Sequence, residues 1–125
     1  MNALMVIVGA SFGALLRYYI NIFIAQHWQN FPYATLTVNI IGSFLAGIFV
    51  VFILEKNLLG ETWRLLLLVG FLGSLTTFST FSFETLIMFE NGLFLKALVN
   101  IGLNLLLSLA AVFLGAVIVR FFTAV

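Results

Sequence analysis

Apolar residues fill this chain in four long blocks, each broken at regular intervals by a small or polar residue. The blocks cover about Ala3–Ala25, Ala34–Leu54, Trp63–Phe89 and Leu93–Val119. Each exceeds the roughly 20 residues that a helix needs to cross a bilayer. The pattern predicts an all-α membrane protein of four transmembrane helices in one domain over residues 1–125. The links are short, so neighbouring helices are expected to run antiparallel. The interrupting residues recur at four-residue spacing, which places them on one helical face. In span 1 they are Gly9, Gly13, Arg17 and Asn21; in span 2, Thr35, Asn39 and Ser43; in span 4, Asn100, Asn104 and Ser108.

Span 3 departs from this pattern. Its stretch Gly70–Glu84 reads GFLGSLTTFSTFSFE. Gly70 and Gly73 are expected to loosen the helix, because glycine tolerates conformations closed to other residues. Hydroxyls follow at Thr76, Thr77, Ser79, Thr80 and Ser82, interleaved with Phe78, Phe81 and Phe83. An irregular segment at membrane depth survives only where protein, water or an ion satisfies its freed backbone groups. A broken third helix is the expectation, and the other spans are expected to hold it.

The polar residues each carry two readings. Arg17 either snorkels to the headgroups or forms an electropositive mouth for an anion path, since an arginine within a span must face protein or water. Asn39 is either interhelical glue or a pore residue whose NH2 donates to a passing anion. Thr35 falls near the membrane edge. Glu84 could accept from a hydroxyl, pair with Arg17, or sit solvated among headgroups. The span 4 stripe suggests a wet face. Gly9, Gly13, Gly42 and Gly47 fit close helix packing. Trp28, Phe31, Tyr33 and Trp63 suit the interface, Pro32 a helix start, His27 a solvated loop and Arg120 an end anchor.

Composition sharpens the picture. The chain has 125 residues, of which 64% are hydrophobic and 7% charged, against roughly a quarter charged in a soluble domain. Net charge is +1, which offers no basic surface for nucleic acid. The absence of cysteine removes disulfides and thiolate chemistry. The start MNALMVIVGASFG has no basic n-region and reads as a retained first span. On one side of the membrane fall Lys56, Arg64 and Arg120; on the other, Lys96 and, if it counts, Arg17. So weak a bias under the positive-inside rule permits insertion either way up, and with it an antiparallel pair of identical subunits.

No nucleophile–base pair or carboxylate dyad is visible, so the chain is not expected to be an enzyme. What the spans hold is donors: Asn amides, hydroxyls, one Arg, and phenylalanine rims, which are the positive part of the ring quadrupole. Such a set suits a small anion that accepts hydrogen bonds strongly. Freed carbonyls at the broken helix suit a dehydrated cation such as Na+.

At these residues the sequence resembles the Fluc (CrcB) family of fluoride channels, over essentially its whole length. GASFGALLRY (Gly9–Tyr18), TLTVNIIGSFLAG (Thr35–Gly47) and GFLGSLTTFSTF (Gly70–Phe81) are similar to the family's first, second and broken third helix signatures. The resemblance implies a dual-topology antiparallel homodimer in the cell membrane that exports fluoride passively and so protects against its toxicity. It implies that Phe78 and Phe81 form an aromatic box, that Asn39 donates to fluoride beside it, and that Ser79 and Thr80 supply hydroxyls nearby. Ser108 would continue a polar track along span 4, and Arg17 would shape the vestibule. A structural Na+ at the dimer interface would be held by the backbone carbonyls of Gly73 and Thr76 from both subunits. Val112 stands where other members often place a hydroxyl. The rival readings are a small dual-topology proton-coupled multidrug exporter, which needs a deep acid that span 1 lacks, and a non-conducting assembly subunit.

Overall fold

The computed structural model describes residues 1–124. Among these there is no strand, and four helical segments are long and apolar enough to cross a membrane: Asn2–His27, Tyr33–Glu55, Glu61–Glu90 and Phe94–Thr123. They coincide with the four predicted spans, with ends displaced by one to four residues. Span 1 ends where Trp28 turns extended, and Pro32 caps the start of span 2 from just outside the helix. Between spans 3 and 4 the chain reverses at Gly92, whose φ of 72° is the left-handed conformation that glycine adopts without steric cost.

The spans associate as two pairs. Span 2 lies along span 4, and span 1 lies along the first half of span 3. Glycines make both approaches close. A Cβ at Gly9 would collide with the Leu66 carbonyl, and one at Gly13 with the Phe71 carbonyl. At the other seam Gly47 meets the Val112 carbonyl and Gly115 the Phe44 carbonyl. The packing reading of Gly9, Gly13 and Gly47 therefore holds. Without a hydrophobic drive between helices in lipid, such backbone contact supplies much of the association.

Two apolar clusters fill the seams. Val38, Leu72 and Leu75 gather Ile20, Leu45, Ala46, Phe49, Leu68 and Phe71 near the centre. Val51, Ala116 and Val119 pack with Ile48 and Phe52 toward one end. At that end Arg120 pairs with Glu55 rather than standing as a lone anchor, and Lys56 donates to the Thr123 carbonyl.

Two stretches are wound wider than an α-helix. In Val51–Glu55 and Arg64–Leu72 the hydrogen bonds reach five residues back, as from the Lys56 N–H to the Val51 carbonyl. The helix of span 3 is thus loosened over a stretch that contains Gly70 and ends at Gly73, but it does not break there. Gly70 lies against Val6, Gly9 and Ala10 of span 1, and the chain stays helical through Leu75.

Candidate functional site

The break falls at Thr76 and Thr77, both extended, and a second helix runs from Phe78 to Glu90. Thr77 starts that helix: its hydroxyl oxygen accepts the Thr80 N–H at 3.1 Å, an N-cap of the kind threonine favours. The same hydroxyl donates to Thr80 Oγ1 at 3.0 Å and lies 3.4 Å from Ser79 Oγ. Three of the predicted hydroxyl residues thus form one cluster at the head of the half-helix.

Span 2 clamps the break from the other side. Asn39 Oδ1 accepts the Thr77 N–H at 2.8 Å, and its Nδ2 donates to the Thr77 carbonyl at 3.1 Å and to Asn104 Oδ1 at 2.9 Å. A side-chain amide has two donor hydrogens, and both are engaged. Asn39 is glue in this arrangement, and donating to an anion would require it to exchange a partner. Gly42, one turn on, faces the Thr76 methyl so closely that a Cβ there would clash.

Arg17 reaches the break from span 1. It is half-buried, and its Nη1 donates to the Thr76 carbonyl at 3.3 Å. The guanidinium thereby satisfies a carbonyl that the break has freed, a partner the sequence does not show. Glu84 neither pairs with Arg17 nor stands solvated. Its Oε1 accepts from Thr35 Oγ1 at 2.8 Å, and its Oε2 is buried without a partner. Thr35 lies in the first turn of span 2, in keeping with the edge position expected of it, and is buried against protein at 1% exposure.

A groove of about 450 Å³ opens at the break. Its polar lining includes Asn39, Ser43, Thr76, Thr77, Asn104 and Ser108, and its aromatic lining is Phe78 and Phe81. The two rings stand edge to face, 5.3 Å apart and inclined at 61°. Phe81 is buried, whereas Phe78 is 71% exposed. Ser108 Oγ is buried beside the groove with no partner. Gly73 also lines it, and a Cβ there would make only an ordinary contact with the Leu68 carbonyl.

The structure thus brings Asn39, Phe78, Phe81, Ser108, Gly73 and Thr76 to one groove. Ser79 and Thr80 do not line it and connect to it only through their hydrogen bonds with Thr77. Arg17 attaches from behind. The polar face of span 4 is divided: Asn104 and Ser108 line the groove, while Asn100 is buried behind it and bonded to protein. Spacing alone places Thr77, Asn104 and Ser43 on polar faces without giving them a role in the site; the structure adds that they line the groove. The spacing of Thr77 and Thr80 also carries a capping signal.

The model of the family described as CrcB-like protein, Camphor Resistance (CrcB), matches residues 4–116. The chain belongs to the CrcB family. It is 44% identical over 119 residues to the fluoride-specific ion channel FluC of Legionella pneumophila (strain Paris), covering 94% of this chain and 89% of that protein. To the protein of the same name from Shewanella loihica it is 49% identical over 116 residues, covering 91% and 92%. To that from Sulfurihydrogenibium sp. it is 43% identical over 118 residues, covering 94% and 95%. Like its family, the chain is a multi-pass membrane protein. None of these three relatives is named as a multidrug exporter.

Proposed function

We propose that this protein is a fluoride-selective channel that lets fluoride leave the cell down its gradient, built as an antiparallel pair of identical chains. The observation that carries the reading is the groove itself. Two phenyl rings and an unengaged hydroxyl meet there at the head of a half-helix, in a chain similar to proteins named fluoride-specific ion channels.

The chemistry suits a small, strongly hydrated anion. The rim of a phenyl ring is electropositive, and in an edge-to-face pair one rim is turned toward its neighbour while the other ring leaves its own rim free. Ser108 adds a hydroxyl, and the N-terminus of Phe78–Glu90 adds the positive end of a helix dipole. Each is a modest attraction, so the ion is stripped of water stepwise and no single site holds it too tightly to leave. Ser79, Thr80 and Asn39 would then serve successive steps, and Arg17 would keep the break electropositive.

The exposure of Phe78 supports the second copy. A bare aromatic beside a polar groove meets lipid on its own, and a partner chain would both cover it and close the path. The break also supports the Na+ that the resemblance implies. Because the Thr77 N–H goes to Asn39, the Gly73 carbonyl lacks its usual donor four residues on, and Gly73 lines the groove. The Thr76 carbonyl accepts one hydrogen bond from Arg17 and keeps a second lone pair; with Gly73 it would supply half a coordination shell, which a second copy would complete. When bound, the cation would neutralise these inward carbonyls and hold the two breaks together.

Purified protein in liposomes loaded with fluoride decides the matter. The wild type is expected to release fluoride and retain chloride. No fluoride release, or comparable chloride release, overturns the channel. Exchange of Na+ for N-methyl-D-glucamine is expected to weaken the pair or stop release, and indifference removes the cation.

A further inference from the structure

Behind the groove runs a line of hydrogen bonds that joins Asn39 to Phe81 through span 4. Asn39 Nδ2 donates to Asn104 Oδ1 at 2.9 Å. Asn104 Nδ2 donates to Asn100 Oδ1 at 2.9 Å and to the Asn100 carbonyl at 3.0 Å. Asn100 Nδ2 donates to Thr85 Oγ1 at 3.0 Å, and the Thr85 hydroxyl donates to the Phe81 carbonyl at 2.7 Å.

The direction of this line is fixed from both ends. A backbone N–H can only donate, so Thr77 compels Asn39 to present Oδ1 to it and to turn its NH2 toward Asn104. A carbonyl can only accept, so Phe81 compels the Thr85 hydroxyl to donate. Between these ends Asn100, Asn104 and Thr85 are 0%, 5% and 7% exposed. Water therefore cannot substitute, and one reversed amide would leave two donors facing each other at the cost of an unmade buried bond.

We propose that Asn104, backed by Asn100 and Thr85, is a positioning relay that sets how readily Asn39 gives its amide hydrogen to an anion. This rests on the fluoride reading above. Both Asn39 hydrogens are engaged, so an anion in the groove must displace either the Thr77 carbonyl or Asn104 Oδ1. The Thr77 carbonyl belongs to the pinned break, so the exchange occurs at Asn104. How firmly Asn104 holds Asn39 is set by the three residues behind it, and the far end of the same line holds the backbone of Phe81. The two side chains expected to meet the ion are thus tied by residues that need not touch it.

Two measurements test the relay. In protein labelled with 15N-asparagine, the Asn39 side-chain signals are assigned by their loss in Asn39→Ala. Without fluoride, those signals are expected to shift in Thr85→Val and return in Thr85→Ser. Unmoved signals in Thr85→Val overturn the relay whether or not the protein conducts. In liposomes, Thr85→Val is expected to slow fluoride release by roughly five- to tenfold, the scale of one lost buried hydrogen bond, and Thr85→Ser to restore it. Asn39→Ala combined with Asn104→Ala should be no slower than Asn39→Ala alone, because the second residue acts through the first. Multiplied losses, or a Thr85→Val protein that is as fast as wild type, overturn the proposal. A wild type that passes no fluoride would sink the channel reading and leave the labelled signals to judge the relay.

Discussion

A carboxyl group inside a membrane-spanning helix needs partners, and Glu84 has found one. The Thr35 hydroxyl donates to it at 2.8 Å from a residue 49 positions away. Local spacing cannot encode such a pairing, which is why Thr35 reads from sequence only as an edge residue and Glu84 as a group with several possible surroundings. Arg17 shows the same limit: its place on the polar face of span 1 is legible, whereas its acceptor, a carbonyl exposed by a break in another helix, is not. Thr35→Val keeps the shape of the side chain and removes the donor. It is expected to destabilise the protein by about 1–3 kcal/mol, the cost of stranding a buried polar group. Thr35→Ser should keep most of that stability. Melting in detergent, followed by helical circular dichroism, checks this; a Thr35→Val protein that melts with the wild type would show that Glu84 does not depend on the bond.

At the scale of elements, hydrophobic periodicity located all four spans, because a helix long enough to cross lipid carries its own signal in sequence. The broken helix was legible too, from hydroxyls where lipid tolerates few. Its position was not. Gly70 and Gly73 looked like the weak point, yet Gly70 is spent on contact with span 1, and the chain parts at Thr76 and Thr77. There Asn39 takes over the Thr77 N–H and offers the backbone a better partner than its own helix. Glycine in a membrane helix thus reports close approach as often as flexibility, and the two can be told apart by substitution. Gly13→Ala would push a methyl group into the Phe71 carbonyl. It is expected to cost about 1–3 kcal/mol through overpacking. Gly102→Ala meets nothing within 4 Å and should leave the melting temperature unchanged or raise it, since alanine is the better helix former by about 1 kcal/mol. Equal effects at the two sites would remove the seam between spans 1 and 3 from the account of stability.

The whole molecule looks unfinished as a single chain. In the most apolar stretch of span 1 only 11% of residues are buried, and the groove that gathers the predicted site residues is open on the side of Phe78 and Gly73. Lipid can cover an apolar face, but it cannot offer partners to a groove with Asn39, Ser43 and Ser108 in its wall. A second copy can, and related by a two-fold axis in the membrane plane it would bring break against break. Such a pair requires half the chains to insert in each orientation. With Arg17 withdrawn to the break, Lys56, Arg64 and Arg120 on one side stand against Lys96 on the other. A difference of two residues is a small bias under the positive-inside rule. Leu58 lies exposed in the link between spans 2 and 3, and the chain contains no cysteine, so Leu58→Cys places a single reporter there. A membrane-impermeant maleimide applied to intact cells is expected to label about half of it, equal insertion being what a pair of this symmetry demands. The remainder should react only after the membrane is opened. Complete labelling, or none, would fix one orientation for every chain and exclude an antiparallel pair, leaving the open groove to be closed by some other arrangement.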